Sequence, residues 1–429
     1  MSSASKHVGW LAALGTVLAL AGCGSGSSDV PVFGGSSGSS SSSGGSSSSS
    51  GGMGNVAPVV VDAGPAELPA PSTNVLFVSV TICVPGTATC QTIDHINVDS
   101  ASVGLRILAS ALPQSIALPQ VSSSGAPLAE CVQFADGYSW GGLRSADVQI
   151  AGEHASNVTV HVIGDSGVPT QAPTDCVNSG PSHTPENTVA TFGSNGILGI
   201  EGFLQDCGPL CVNAVQPGTY YVCPGGNCQG TTMPLAQQVQ QTVSLFATDN
   251  NGVVIELPSI AAAGAASVAG SLVFGIDTQS NNALGSATVL GLDSLGNFIT
   301  YFNGVTLNES FIDSGSNGYF FDDAQNSALV NCTMATGFYC PSTTQSLSAM
   351  NQSASGMGAT STVQFNVAGA ESLFNNNPNF TAFNDLGGSQ PAGFTQSFDW
   401  GMPFFFGRNV FVAVENATTS GGVGPYYAY

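Results

Sequence analysis

The chain has 429 residues and a lopsided charge, 26 acidic against 4 basic residues for a net −22, with only 7% of positions charged. Nucleic-acid binding needs clustered Lys and Arg to replace counterions, whereas Lys6, Arg106, Arg144 and Arg408 are scattered; coiled coils and long surface helices are excluded by the shortage of Glu, Lys and Arg. With 42% hydrophobic residues and a body rich in Gly, Ser, Thr and Val, the sequence reads as a globular, mostly β protein.

In chain order, Lys6 and His7 precede an apolar run from Val8 to Leu20 that ends in small residues. That is the pattern of a secretory signal peptide, and it is short for a membrane span of about 20 residues. Leu20-Ala21-Gly22-Cys23 resembles the lipobox of bacterial lipoproteins, which implies removal of residues 1–22 and lipidation of Cys23. In that group Asp after the Cys marks inner-membrane retention; Gly24 therefore implies an outer-membrane lipid anchor, on the periplasmic or surface face of the cell envelope. Residues 23–54 continue as a Ser/Gly tether with a mean reach of about 30 Å. Residues 55–72 read as a Pro- and Val-containing lead-in, so the body is expected to start near Thr73.

Ten cysteines follow Cys23, and an even count in an exported chain reads as five disulfides. Cys83–Cys90 and Cys332–Cys340 are the expected local pairs; the cluster from Cys207 to Cys228 stays open. Neither metal nor other cofactor is expected, because the Cys spacings are Cys-x3-Cys or longer and His161 and His183 have no ligand at metal spacing.

The body is a series of short strands broken by Gly, Pro, Asn and Ser. Val75 to Ile82 is one strand, a Pro85-Gly86 turn follows, and Ile93 to Val98 runs directly into Asp99-Ser100-Ala101-Ser102. More than two hundred residues later, Glu309 to Ile312 runs into Asp313-Ser314-Gly315-Ser316. Further landmarks are Gly196-Ile197-Leu198-Gly199, Pro234 to Phe246, Gly270 to Asp277, Trp400 to Phe405 and Asn409 to Glu415. In this order they resemble the pepsin-like aspartic proteases. A narrower resemblance is to uncharacterised proteobacterial lipoproteins that carry a Ser/Gly tether.

The resemblance implies an all-β fold with minor α content, two lobes (73–262 and 263–429) and a central cleft. It makes Asp99 and Asp313 a catalytic pair sharing one proton, since two carboxyls about 3 Å apart cannot both ionise. Ser100 and Ser314 would brace the loops against each other, with Ser102, Gly315 and Ser316 as further loop support. Phe134, Asp136, Gly137, Tyr138 and Trp140 resemble the hairpin that covers the cleft. Two positions depart from the family. Ala101 stands where Gly is usual, so its Cβ is expected to disturb the turn, and Phe134 replaces a Tyr and loses its hydroxyl.

The implied activity is endopeptidase action on a polypeptide; the alternative is a pepsin-fold lipoprotein that binds a partner without cleaving it. Gly164-Asp165-Ser166-Gly167 matches the nucleophile loop of trypsin-like proteases, but His95 and His154 lack the accompanying context. Without the signal peptide, 26 acids face three arginines, a formal −23, so acid relieves self-repulsion.

Overall fold

The computed structural model describes residues 54–429 apart from 324 and 392. The signal peptide, Cys23 and the tether through residue 53 lie outside the described residues. Strands dominate, and the longest α-helix among the described residues, Ala370–Asn376, has 7 residues.

Six strands in the first half close into a ring. Leu76–Cys83 pairs with Cys90–Asp99, which runs parallel to Gly196–Ile200; that strand pairs with Val103–Leu108, then Glu153–Ile163, Tyr138–Ile150 and again Leu76–Cys83. Alternating aliphatic residues fill it: Val80, Ile82, Ile96, Val98, Leu105, Ile107, Val160 and Leu198 are all fully buried. β-branched side chains suit this pleated interior.

The same sheet continues beyond the ring through Val56–Val61, Val268–Phe274, Gly252–Glu256, Asn409–Ala413, Tyr426–Ala428 and Val289–Gly291. Two expectations change here. The supposed lead-in is not outside the body, because Val56–Val61 is hydrogen-bonded between Leu76–Cys83 and Val268–Phe274. Pro58 lacks an N–H, which makes the run look unlike an interior strand. The lobe boundary at 262/263 also does not divide sheets, since strands from both ends of the chain share this one. The stretch from Pro234 to Phe246 forms two 3-10 turns, Leu235–Gln237 and Val243–Leu245. The Gln238 side chain donates to the carbonyls of Gly208 and Met233, holding the segment in this irregular path.

A second sheet of seven strands forms the other lobe, with Phe298–Phe302, Val305–Ile312, Tyr319–Phe320 and Asp399–Trp400 near its centre. Its core is aromatic where the first is aliphatic. Phe321 stacks on Phe398 and Phe398 on Trp400, and Phe302, Tyr319 and Phe365 meet them edge-on or tilted. The outcome is the all-β, two-lobed body expected, with one Asp loop leaving each lobe.

All ten body cysteines are paired: Cys83–Cys90, Cys131–Cys176, Cys207–Cys211, Cys223–Cys228 and Cys332–Cys340. Both expected local bridges form, and the open cluster resolves into two short loops. Cys131–Cys176 closes the largest loop, with a sequence separation of 45. Loop-closure entropy assigns it about 4 kcal/mol, against about 2 kcal/mol for the shortest loops. The double substitution Cys131→Ala/Cys176→Ala should therefore lower unfolding free energy by roughly twice as much as Cys223→Ala/Cys228→Ala in urea titration; equal losses would contradict the ranking.

Candidate active site

Each Asp loop follows a strand end that lies parallel to a second strand with a Gly at or just past its end. Asp99 pairs in register with Gly199, and Ile312 with Trp400, which places Asp313 beside Gly401. The backbones approach closely at both points. A Cβ on Gly199 would meet the Ser102 carbonyl at 2.6 Å, and one on Gly401 would meet the Gly318 carbonyl at 2.1 Å, so neither position admits a side chain.

The two loops are then tied to each other by four reciprocal hydrogen bonds. The Ser100 N–H donates to Ser314 Oγ at 3.1 Å and the Ser314 N–H to Ser100 Oγ at 2.9 Å. The Ser100 hydroxyl donates to the Ile312 carbonyl at 2.9 Å and the Ser314 hydroxyl to the Val98 carbonyl at 2.7 Å. Both serines are fully buried.

Each aspartate is held in the same way within its own loop. Asp99 Oδ1 accepts the Ala101 N–H at 2.9 Å and Oδ2 the Ser102 hydroxyl. Asp313 Oδ1 accepts the Gly315 N–H at 2.7 Å and Oδ2 the Ser316 hydroxyl at 2.8 Å. The disturbance expected at Ala101 does not occur: its backbone lies outside the left-handed region, so a Cβ is tolerated and the N–H keeps its partner. Both carboxyls are fully buried and lie within hydrogen-bonding reach of one another.

The charges around this symmetric frame are not symmetric. Burial pushes Asp99 above the ordinary carboxyl range, while Ser102, Ala101, a bond from Asp313 and the Arg106 charge pull it back. Burial, then the charges of Asp99 and Asp399, push Asp313 well above that range. The two carboxyls titrate as a unit, and Arg106 and Asp399 act on opposite members of the pair.

Three residues near the loops were not singled out from sequence. Asp399 is fully buried, occupies the position that Ile197 occupies in the first lobe, and among the described residues makes no well-aligned hydrogen bond through either oxygen, although the Ser316 hydroxyl lies close enough to pull it down. Burial first and the Asp99 charge keep it protonated well above the usual range. Burial and the Asp99 charge do the same to Glu201. Tyr427 donates its hydroxyl to the Ser100 carbonyl at 3.0 Å. A carboxylate inside an apolar-Gly segment carries no local signature, and only the register reveals Asp399 as part of the site.

The hairpin expected over the cleft forms, with Ala126–Gln133 paired to Tyr138–Ile150, but its aromatic side chains are packed inward. Phe134 meets Phe192 edge-on at 5.9 Å. Trp140 meets Tyr221 and donates its Nε1–H to the Pro169 carbonyl at 2.7 Å. Tyr138 is buried too. At the turn, Asp136 and Glu186 face each other, and burial raises them to about 7 and about 10; Gly137 has no room for a Cβ against Glu186 and the Thr184 carbonyl.

The trypsin-like reading has no support in the geometry, since both oxygens of Asp165 accept from Arg144, at 2.7 and 2.8 Å. His161 is buried beside Glu130 and His183 meets the Val177 carbonyl. The one Cys/Glu grouping at ligand distance among the described residues, Cys332, Cys340 and Glu371, is already occupied by a disulfide.

These shifts set a direction for stability with pH. Carboxyls raised in the folded state (Asp99, Asp313, Asp399, Glu201, Asp136, Glu186 and Asp206) contribute fully below the unfolded value near 4 and lose that contribution as pH rises through the folded values. Those held down (Glu130, Asp147, Asp277 and Glu371) oppose this only as pH falls below about 4. The melting temperature should be higher at pH about 4.5 than at pH about 8; the reverse order in calorimetry would contradict the assignment.

Among solved structures, the aspartic proteinase from Irpex lacteus is similar at 14% identity and a TM-score of 0.44, over 87% of this chain and 96% of that one. No curated protein matches the chain. The model of the family described as "Protein of unknown function (DUF3443)" matches residues 51–429, and the chain belongs to that family.

Proposed function

We propose that the protein is an aspartic endopeptidase in which Asp99 and Asp313 activate water for peptide-bond hydrolysis, anchored in the bacterial outer membrane through lipidated Cys23. The observation that carries this reading is the serine lattice, which holds two carboxyls face to face where they cannot both ionise. Asp99, the ionised partner, takes a proton from water as its oxygen attacks the scissile carbonyl carbon. Asp313, the protonated partner, donates to the carbonyl oxygen. The tetrahedral diol then collapses: Asp99 passes its proton to the leaving nitrogen, the C–N bond breaks, and a diol hydroxyl returns its proton to Asp313, so that the pair again holds one proton.

A second reading, binding of a polypeptide without cleavage, is favoured by two features: both carboxyls are fully buried, and Phe134, packed on Phe192, brings no hydroxyl to them. Activity against an unfolded protein between pH 3 and 7 separates the two. The peptidase reading requires cleavage that a pepstatin-type inhibitor blocks and that Asp313→Asn lowers by about 10³-fold or more. No cleavage at any pH in that interval selects the binding reading.

The neighbour of Asp313 supplies a further test. The Asp399 charge raises Asp313, so Asp399→Asn should move the alkaline limb of the rate profile to lower pH. An unchanged limb would remove Asp399 from the site.

A further inference from the structure

Between the lobes, next to the first Asp loop, lies a narrow open pocket enclosing ≈ 470 Å³ with its mouth. Ala101 forms one wall, so a group seated there lies against the residue whose backbone N–H holds Asp99. Three aromatic side chains, Phe311, Phe394 and Tyr427, also line it, together with Glu201 and Glu309.

Glu201 is the informative residue. It is 7% exposed, its carboxyl lies against Gly296, and among the described residues no hydrogen bond holds it. Among the described residues, Asp99, Glu309 and Tyr427 are the titratable groups around it, and none of these is a cation. The arginines of the body are engaged elsewhere: Arg106 with Glu130 and Asp206, Arg144 with Asp165, and Arg408 with the Phe404 carbonyl and ring. A buried carboxyl without a partner is costly. An apolar occupant would deepen that cost by removing the remaining water, whereas a cation would offset it and also meet aromatic faces.

We propose that this pocket is the subsite for a cationic side chain, Lys or Arg, of the bound polypeptide, and that Glu201 sets that preference; the proposal rests on reading Asp99 and Asp313 as a peptidase pair. The ammonium or guanidinium donates to the Glu201 carboxylate, with the aliphatic stem between the aromatic walls. An arriving cation favours the ionised form of Glu201 at a pH where burial alone keeps it neutral. The Ala101 wall then fixes this side chain next to the scissile bond.

The test is cleavage-site sequencing by mass spectrometry on unfolded proteins, using the full chain and Glu201→Gln, which preserves the shape of the side chain. Wild type should show Lys and Arg enriched at one position flanking the cut. In Glu201→Gln the ratio of kcat/KM for matched Lys and Leu peptides should fall at least about tenfold. Absence of enrichment in wild type, or an unchanged ratio in the variant, overturns the proposal while leaving the peptidase reading intact. If wild type cleaves nothing, the peptidase reading fails, and calorimetry with lysine amide decides the pocket. Saturable binding that Glu201→Gln abolishes supports the subsite, and no binding to wild type overturns it.

Discussion

Everything in the site depends on two serine side chains that each accept the other loop's N–H and donate to the carbonyl preceding the other loop's aspartate. Ser100 and Ser314 thereby fix the spacing of Asp99 and Asp313 through main chain, which is stiffer than any contact between the carboxyls themselves. Four buried bonds, at about 0.5–1.5 kcal/mol each, offset the repulsion and desolvation of two adjacent acids. Gly199 and Gly401, beside the two loops, serve the same purpose, since only a bare Cα lets each loop settle onto its neighbour. The large shared sheet holds both lobes in the register that this lattice needs.

Symmetry alone would leave the shared proton without a preferred carboxyl. The asymmetry comes from outside the loops. Arg106, on the strand leaving the first loop, stabilises charge on Asp99. Asp399, in the strand beside the second loop, disfavours charge on Asp313. The first lobe has Ile197 where the second has Asp399, so one substitution within a repeated frame makes the surroundings of the two carboxyls unequal.

Much of this was legible in the sequence where the determinants are local. A strand running into Asp-Ser-small-Ser specifies a loop whose N–H and hydroxyl turn back on the carboxylate, and both copies do so. Close cysteines such as Cys83 and Cys90 paired as spacing implied. What stayed hidden depends on register and packing. Pro58 disguised an interior strand, because a missing N–H reads as an edge or a linker. Phe134, Tyr138 and Trp140 lie on a hairpin of the expected form, but spacing does not say that Phe134 faces Phe192, that Trp140 faces Pro169 and Tyr221, or that Tyr138 is buried. Asp399 and Glu201 read as ordinary acids until the sheet places them beside the dyad.

The acidic composition gains a structural meaning from the same cluster. Many carboxyls sit where burial and neighbouring acids favour their neutral form, so the fold and the proposed chemistry share a preference for acid. The most direct measurement of the central claim is neutron diffraction from crystals grown near pH 5. The account predicts one deuteron between the facing oxygens of Asp99 and Asp313, bound to Asp313. Carboxyls more than about 6 Å apart, or a deuteron on neither, would contradict it.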